Sequence, residues 1–214
     1  MIPQVMTLAT SKGGAGKSTL VRSLAGHWLN IGLLPAIVDS DPQGSIISRY
    51  DPNGPFSKLV IIADPEESVS TTINELRAKH KPILVDTGGF RNKTTIIALI
   101  NSDLVIIPLK PSADDMAVAI ETYQLIKELN ETPERINNPI KIRMIITMSQ
   151  QGTIISRHVR SELEEVGLPI MKAEMYLRVA YPETGIKGLA PSITDPESAA
   201  AQDIAKIAAE ITEY

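Results

Sequence analysis

Along this chain, short unbroken aliphatic runs alternate with longer stretches in which apolar residues recur every three or four positions. The runs occupy residues 5–9, 35–39, 59–63, 82–86, 104–108 and 140–147. A strand open to water on one face alternates apolar with polar. An unbroken run suits a strand covered on both faces, as in a parallel sheet held between helices. The intervening stretches carry helix signals. Ser112 is placed to cap a helix reaching about residue 130, with Asp114 and Asp115 in its first turn, where the helix dipole favours negative charge. Over residues 153–166, Ile155, Val159, Leu163 and Val166 form one stripe, and Gly167 follows as a stop. The last helix is expected to start with Asp195 as cap and Pro196 in its first turn, and to bury Ala200, Ile204, Ile207 and Ile211. Strand and helix in alternation imply right-handed crossovers. The expected fold is α/β, a doubly wound, mostly parallel sheet flanked by helices, with its ligand at the C-terminal ends of the strands.

Composition narrows this without changing it. With 214 residues, 43% apolar and 21% charged, and no repeat or linker-like tract, residues 1–214 read as a single domain with an ordinary core. The absence of cysteine excludes disulfides, thiolate metal sites and thiol nucleophiles. The chain opens without a basic leader or cleavage site, and its aliphatic runs fall well short of the roughly 20 residues needed to span a bilayer. A cytoplasmic location is expected. The formal charge is −4, yet residues 135–187 hold eight Lys or Arg against five Glu, so positive charge is displaced toward the C-terminal half.

The first run leads into Ser11-Lys12-Gly13-Gly14-Ala15-Gly16-Lys17-Ser18-Thr19 and then a helical pattern holding Leu20, Leu24 and Leu29. Glycines after a strand let the backbone curl with its N–H groups inward, and the following helix N-terminus adds partial positive charge, so the loop is an anion cradle. Lys17 supplies a cation for β and γ phosphates, and Ser18 offers its hydroxyl to Mg²⁺. The common pattern has Gly where Ser11 stands and no lysine beside it. Lys12 at the loop entrance is poorly placed to serve its own cradle but could reach phosphates held by a facing molecule. The bland alternative is a glycine-rich turn with two solvated lysines.

Lys12-Gly-Gly-Ala-Gly-Lys17-Ser18 resembles the deviant Walker A box of the ParA and MinD superfamily of P-loop ATPases. Two further segments extend the resemblance. Asp39-Ser40-Asp41-Pro42-Gln43 is similar to the family's switch I element, and the run ending in Asp86-Thr87-Gly88-Gly89 is similar to Walker B followed by switch II. The resemblance implies ATP and Mg²⁺ as ligands. Lys12, Gly13, Gly14, Ala15, Gly16, Lys17, Ser18 and Thr19 would hold the nucleotide, with Asp39 and Asp86 beside Ser18 at the metal. Asp41 would orient the attacking water, and Lys12 would cross to the nucleotide of a second copy. Lys12, Lys17 and Asp41 are thus the implied catalytic set. Paired acids at a strand end also suit a helix cap, which is the plainer reading of Asp39 and Asp41. Many relatives place Asn after the sixth strand for the adenine. Here Thr147 and Met148 stand there and become the candidates for base contact.

Arg178 to Glu183, Gly188 and the Asp195-Pro196-Glu197-Ser198-Ala199-Ala200 segment resemble the C-terminal portion of ParA-type proteins. This implies the small plasmid form without an N-terminal helix-turn-helix region. The C-terminal stretch, residues 205–214, is acidic at its tip, with Glu210 and Glu213, unlike the basic amphipathic membrane anchor of MinD-like proteins. The implied function is plasmid partition. An ATP-dependent homodimer or higher-order assembly would bind DNA without sequence preference and associate with the nucleoid, while a ParB-like adaptor stimulates slow hydrolysis. No membrane contact is expected. Arg157, Arg160, Arg178 and Lys187 are the candidate DNA contacts, with a solvated mixed-charge helix as the alternative. Two other functions stay open: a spatial regulator that positions a protein complex, and a metabolic kinase or ligase in which Lys12 has no evident task. His27, His80 and His158 read as surface or boundary residues, and Trp28 and Tyr123 as packing.

Overall fold

In a computed structural model, which describes residues 1–89 and 92–213, each of the six aliphatic runs becomes a strand. These are β1 (Val5–Leu8), β2 (Ala36–Ser40), β3 (Val60–Ala63), β4 (Ile83–Thr87), β5 (Leu104–Leu109) and β6 (Lys141–Ser149), joined by a two-residue β7 (Met175–Tyr176) that the apolar pattern did not announce. All pair in parallel in one sheet of order β3-β2-β4-β1-β5-β6-β7. The chain starts in the middle of the sheet, builds one side through β2, β3 and β4, then crosses to the other side for β5. The crevice at the C-terminal end of β1 therefore lies where the winding reverses, the place such folds hold ligands.

The helices are α1 (Lys17–Asn30), α2 (Val69–Arg77), α3 (Lys93–Ile100), α4 (Ala113–Asn130), α5 (Ile154–Glu165), α6 (Ala180–Ile186), α7 (Pro191–Thr194) and α8 (Ala199–Thr212). Every residue of β1, β2, β4 and β5 is buried, which is why their sequences carry no alternation. Met6, Leu8 and Ile37 face α1 and α8, where Leu20, Leu24, Trp28, Ile204 and Ile207 complete one core. On the opposite face, Ile107 and Met144 meet Ile126, Val159 and Leu163, and Val38 and Val85 meet Ile73 and Ala98. At Gly26 of α1 an added Cβ would lie 2.6 Å from the Ala190 Cβ, so the absence of a side chain there sets how closely α1 crosses the start of α7.

Three local expectations need correction. The last helix is capped by Ser198, whose Oγ accepts from the Ala201 amide, and not by Asp195. Asp195 ends α7, and Asp195-Pro196 forms the turn between the two helices, since a residue before proline is pushed out of the helical region. The buried stripe of α5 is Ser156, Val159 and Leu163, which leaves Ile155 46% exposed. Val166 is also exposed, because Gly167 (φ 71°) turns the chain and the Leu168 amide closes on the Leu163 carbonyl at 2.9 Å, so Leu168 packs in its place. Ser112 does cap α4, accepting from the Asp115 amide. Trp28 is core, and Tyr123 is a half-buried packing residue.

Candidate functional site

Residues 9–16 connect β1 to α1, and their shape is set by two left-handed residues, Gly14 (φ 73°) and Gly16 (φ 86°). Gly16 is the N-cap of α1 and provides no side-chain acceptor, and the first helical turn, from Lys17, contains no acid. The orphan amides of that turn are therefore left for an external anion. The loop lines a cavity of about 420 Å³ that Asp41, Gln43, Gly88, Gly89 and Met148 close from the other side. Lys17 lies on its wall and makes no ion pair among the described residues. The loop is braced from behind, where the fully buried Thr147 hydroxyl donates to the Ala15 carbonyl at 2.9 Å and approaches the Leu109 carbonyl at 3.2 Å. Thr147 is thus occupied in holding the loop, which corrects its assignment as a base contact. Met148, with its strained φ of 53°, does reach the cavity.

Strand register brings the acids together, with Asp39 of β2 beside Asp86 of β4, and Asp86 in turn beside Leu8 of β1. Asp39 spends one oxygen on structure: its Oδ2 accepts from the Ile46 and Ile47 amides at 3.0 and 2.9 Å, at the start of a 3-10 turn (Ile47–Arg49). The cap reading of Asp39 accounts for one oxygen alone, since its Oδ1 is buried with no partner among the described residues. Both oxygens of Asp86 are likewise buried without a hydrogen bond among the described residues. Burial pushes the Asp86 carboxyl up to about 7; the Ser18 hydroxyl, outside formal hydrogen-bond geometry, and Lys17 lower it, while Asp39 and Asp41 raise it further. Buried carboxylate oxygens without donors, next to a serine hydroxyl, form a hard oxygen set that fits Mg²⁺. Among the described residues no three His, Cys, Asp or Glu cluster as a metal cage. Such an ion would need further oxygens from its substrate, the usual arrangement for Mg²⁺ on phosphates.

Asp41 sits past the end of β2 on the cavity wall, with its Oδ1 accepting from the Gln43 amide at 2.9 Å. Gly88 allows the two loops to meet: a Cβ there would lie 3.0 Å from Pro42 Cδ and 3.2 Å from Asp41 Oδ1. The segment likened to switch II continues past Gly89 into residues 90 and 91, which lie outside the described residues, as does Tyr214.

Lys12 points away from the loop interior and donates to Asp115 Oδ2 at 2.6 Å. Asp115 also accepts from the Ser112 hydroxyl and the Lys110 amide; these donors outweigh its burial and lower its pKa, and the Asp115 contact raises that of Lys12. The four candidate DNA contacts separate. Arg160 is committed internally to Glu174, Glu164 and the Met171 and Lys172 carbonyls. Arg178 forms a two-pronged pair with Asp203 at 2.8 and 3.2 Å and lies over the Tyr176 ring. Both are corrected from solvent-facing cations to packing ones. Arg157 and Lys187 are exposed and make no ion pair among the described residues.

Next to Met148, the sequence reading missed an apolar hollow of about 230 Å³ lined chiefly by Thr19, Tyr176, Leu177, Arg178 and Pro182. The Arg178-to-Glu183 segment was its only signal, and a two-residue strand was too short to reveal that this segment folds against the loop.

Fold and cradle together define a P-loop nucleotide-binding domain. The chain belongs to the CobQ/CobB/MinD/ParA nucleotide binding domain family, which matches residues 6–191. It is 28% identical over 182 residues to Protein ParA of Rhizobium radiobacter, covering 83% of this chain and 80% of that one. It is 22% identical to Maintenance of carboxysome distribution protein A of Halothiobacillus neapolitanus, covering 86% and 84% of the two chains. The fold matches that of the cell division ATPase MinD of Pyrococcus furiosus with a TM-score of 0.78 at 16% identity, covering 98% of each chain. No helix among the described residues is long and apolar enough to cross a membrane.

Proposed function

We propose that this chain is a Mg²⁺-dependent ATPase of the ParA type, which uses ATP to assemble as a dimer and to segregate a plasmid. The observation that carries the reading is the pairing of an anion cradle whose first helical turn holds no acid with a buried carboxylate, Asp86, whose two oxygens have no partner among the described residues. The backbone amides of Gly13 to Thr19 and the Lys17 ammonium bind the phosphates. Ser18, Asp86 and the free oxygen of Asp39 would hold Mg²⁺, which supplies charge neutralisation on the β and γ phosphates. Asp41 holds the attacking water on the cavity side opposite the loop. Met148, with the apolar hollow beyond it, receives the base. Lys12 leaves Asp115 to reach the nucleotide of a second copy. The partner is a ParB-like adaptor that accelerates a slow intrinsic reaction, and exposed cations such as Arg157 and Lys187 meet DNA phosphates.

A second reading has its own support. One relative maintains carboxysome distribution, and two of the four cations suggested for DNA are spent inside the fold. Under that reading the same ATP cycle positions a protein complex. Retention on DNA with ATP, with ADP and without nucleotide tests the switch itself: strong retention with ATP alone is expected, and equal retention in all three states rejects it. Asp41→Ala should retain the ATP form while reducing turnover by about 10²-fold; unchanged turnover would remove Asp41 from its role. Site-specific DNA binding by the adaptor recovered with the ATP form separates plasmid partition from complex positioning.

A further inference from the structure

Beside the nucleotide cavity lies a second one of about 310 Å³, and the two share Ser18, Thr19 and Ser45 as a common wall. Its far side is formed by Arg22, Arg49 and the face of α6. Arg22 is one helical turn beyond Ser18, so both side chains lie on the same edge of α1. It is 5% exposed, an unusual burial for a guanidinium without a carboxylate. Its Nε donates to the Leu189 carbonyl at 2.8 Å, and neither Nη atom finds an acceptor among the described residues. The Nη2 end of the group packs close to α6: a Cβ on Gly185 would lie 2.8 Å from Nη2 and 3.7 Å from Cζ.

Arg49 approaches from the 3-10 turn, its Nη1 anchored to the Ser45 carbonyl at 2.8 Å. The turn is pressed against the chain leaving α6, where a Cβ on Gly188 would fall 2.0 Å from the Arg49 carbonyl oxygen. The two guanidiniums are close enough for Arg49, after burial, to lower the Arg22 pKa, and the carboxylate acting against this is Asp86, on the nucleotide side of the wall. A buried cation facing a second cation is costly unless an anion completes the set. Planar guanidinium forks match the oxygens of a tetrahedral oxyanion.

We propose that this cavity is an orthophosphate site, a station next to the nucleotide site that holds the inorganic phosphate released on hydrolysis. The proposal rests on the ATPase reading for the source of that phosphate, though not for the existence of the site. Phosphate passing the wall formed by Ser18 and Ser45 exchanges the first cradle for Arg22 and Arg49 and leaves ADP behind.

The test uses the full chain loaded with ADP, so that the loop is already filled. Titration with inorganic phosphate should show saturable binding by calorimetry, weakened at least about tenfold in Arg22→Gln and restored in part by Arg22→Lys. Because Arg22 is buried, Arg49→Gln on the exposed arm is the second variant and should weaken binding several-fold. Equal phosphate affinity in wild type and both glutamine variants, or no saturable binding to the ADP form, overturns the site. A single-turnover measurement separates phosphate released on hydrolysis from free phosphate taken up from the medium. With a phosphate sensor, Arg49→Gln should alter the rate of phosphate appearance while bond cleavage keeps its wild-type rate, and identical release kinetics overturn the station role for product. If the chain hydrolyses no ATP at all, the functional reading fails while the titration still decides the site.

Discussion

The phosphate-loop end of the sheet and the C-terminal basic segment both concentrate charge, and they treat it in opposite ways. At the loop, charged groups are held without partners among the described residues: both oxygens of Asp86, one of Asp39, the Lys17 ammonium and the two Nη atoms of Arg22. Toward the C-terminus most charges are matched, although the buried Arg135 keeps its Nε without a partner among the described residues. Arg178 is forked onto Asp203, Arg160 onto Glu174, and the Glu210 carboxylate takes the Lys172 and Ala173 amides at 2.8 Å each. Unmatched buried charge costs stability and is kept where a ligand completes it; matched charge is part of the scaffold. Burial together with missing partners, more than the number of cations, marks the site.

The largest effect that would sharpen this contrast is a gain in stability on removing a functional charge. The folded pKa of Asp86 is raised from an ordinary 3.8 to about 7, chiefly by burial. Between these values the folded chain holds a proton that the unfolded chain has released, so stability is fullest below the unfolded value and falls as pH rises through about 7. Asp86→Asn removes that loss. Without nucleotide and in chelator, its urea midpoint should match wild type near pH 4 and exceed it by the equivalent of about 2–4 kcal/mol at pH 8. A variant less stable than wild type at pH 8 would mean that the carboxylate has partners in the fold.

The opposite sign is expected in the C-terminal segment. Arg178→Ala leaves Asp203, only 4% exposed, without its cation and should cost about 1–3 kcal/mol in the same assay. Stability within experimental error of wild type would return Arg178 to the surface cations available to DNA.

How much of this was legible in the sequence depends on the range of the interactions. Six strands and the loop could be read because each is encoded by adjacent residues, as aliphatic runs and glycines followed by Lys17 and Ser18. The cap at Ser112 is equally local, reaching three residues to Asp115. The strand β7 was hidden because two residues carry no period, and with it went the hollow beside Met148. The fates of Arg160 and Arg178 were hidden because their partners lie 14 and 25 residues away. Helical spacing places such side chains on a face but says nothing of what covers that face. Thr147 failed for the same reason, since its acceptor, Ala15, is 132 residues distant.

The smallest effect on the fold comes from the cations left outside it. Arg157 and Lys187 are exposed and make no ion pair among the described residues, so reversing both, Arg157→Glu with Lys187→Glu, should change stability by less than about 0.5 kcal/mol. If they meet DNA phosphates, affinity in the ATP state should fall, and the slope of log affinity against log salt should shrink by about 1–2. Arg178→Ala should reduce retention only in proportion to the protein that has lost its fold. Loss of DNA binding without loss of stability in the first variant, and the reverse in the second, would separate solvent-facing charge from charge that the fold has consumed. Unaltered retention in the reversed pair would move the nucleic-acid surface elsewhere and favour the complex-positioning reading, which needs no such face.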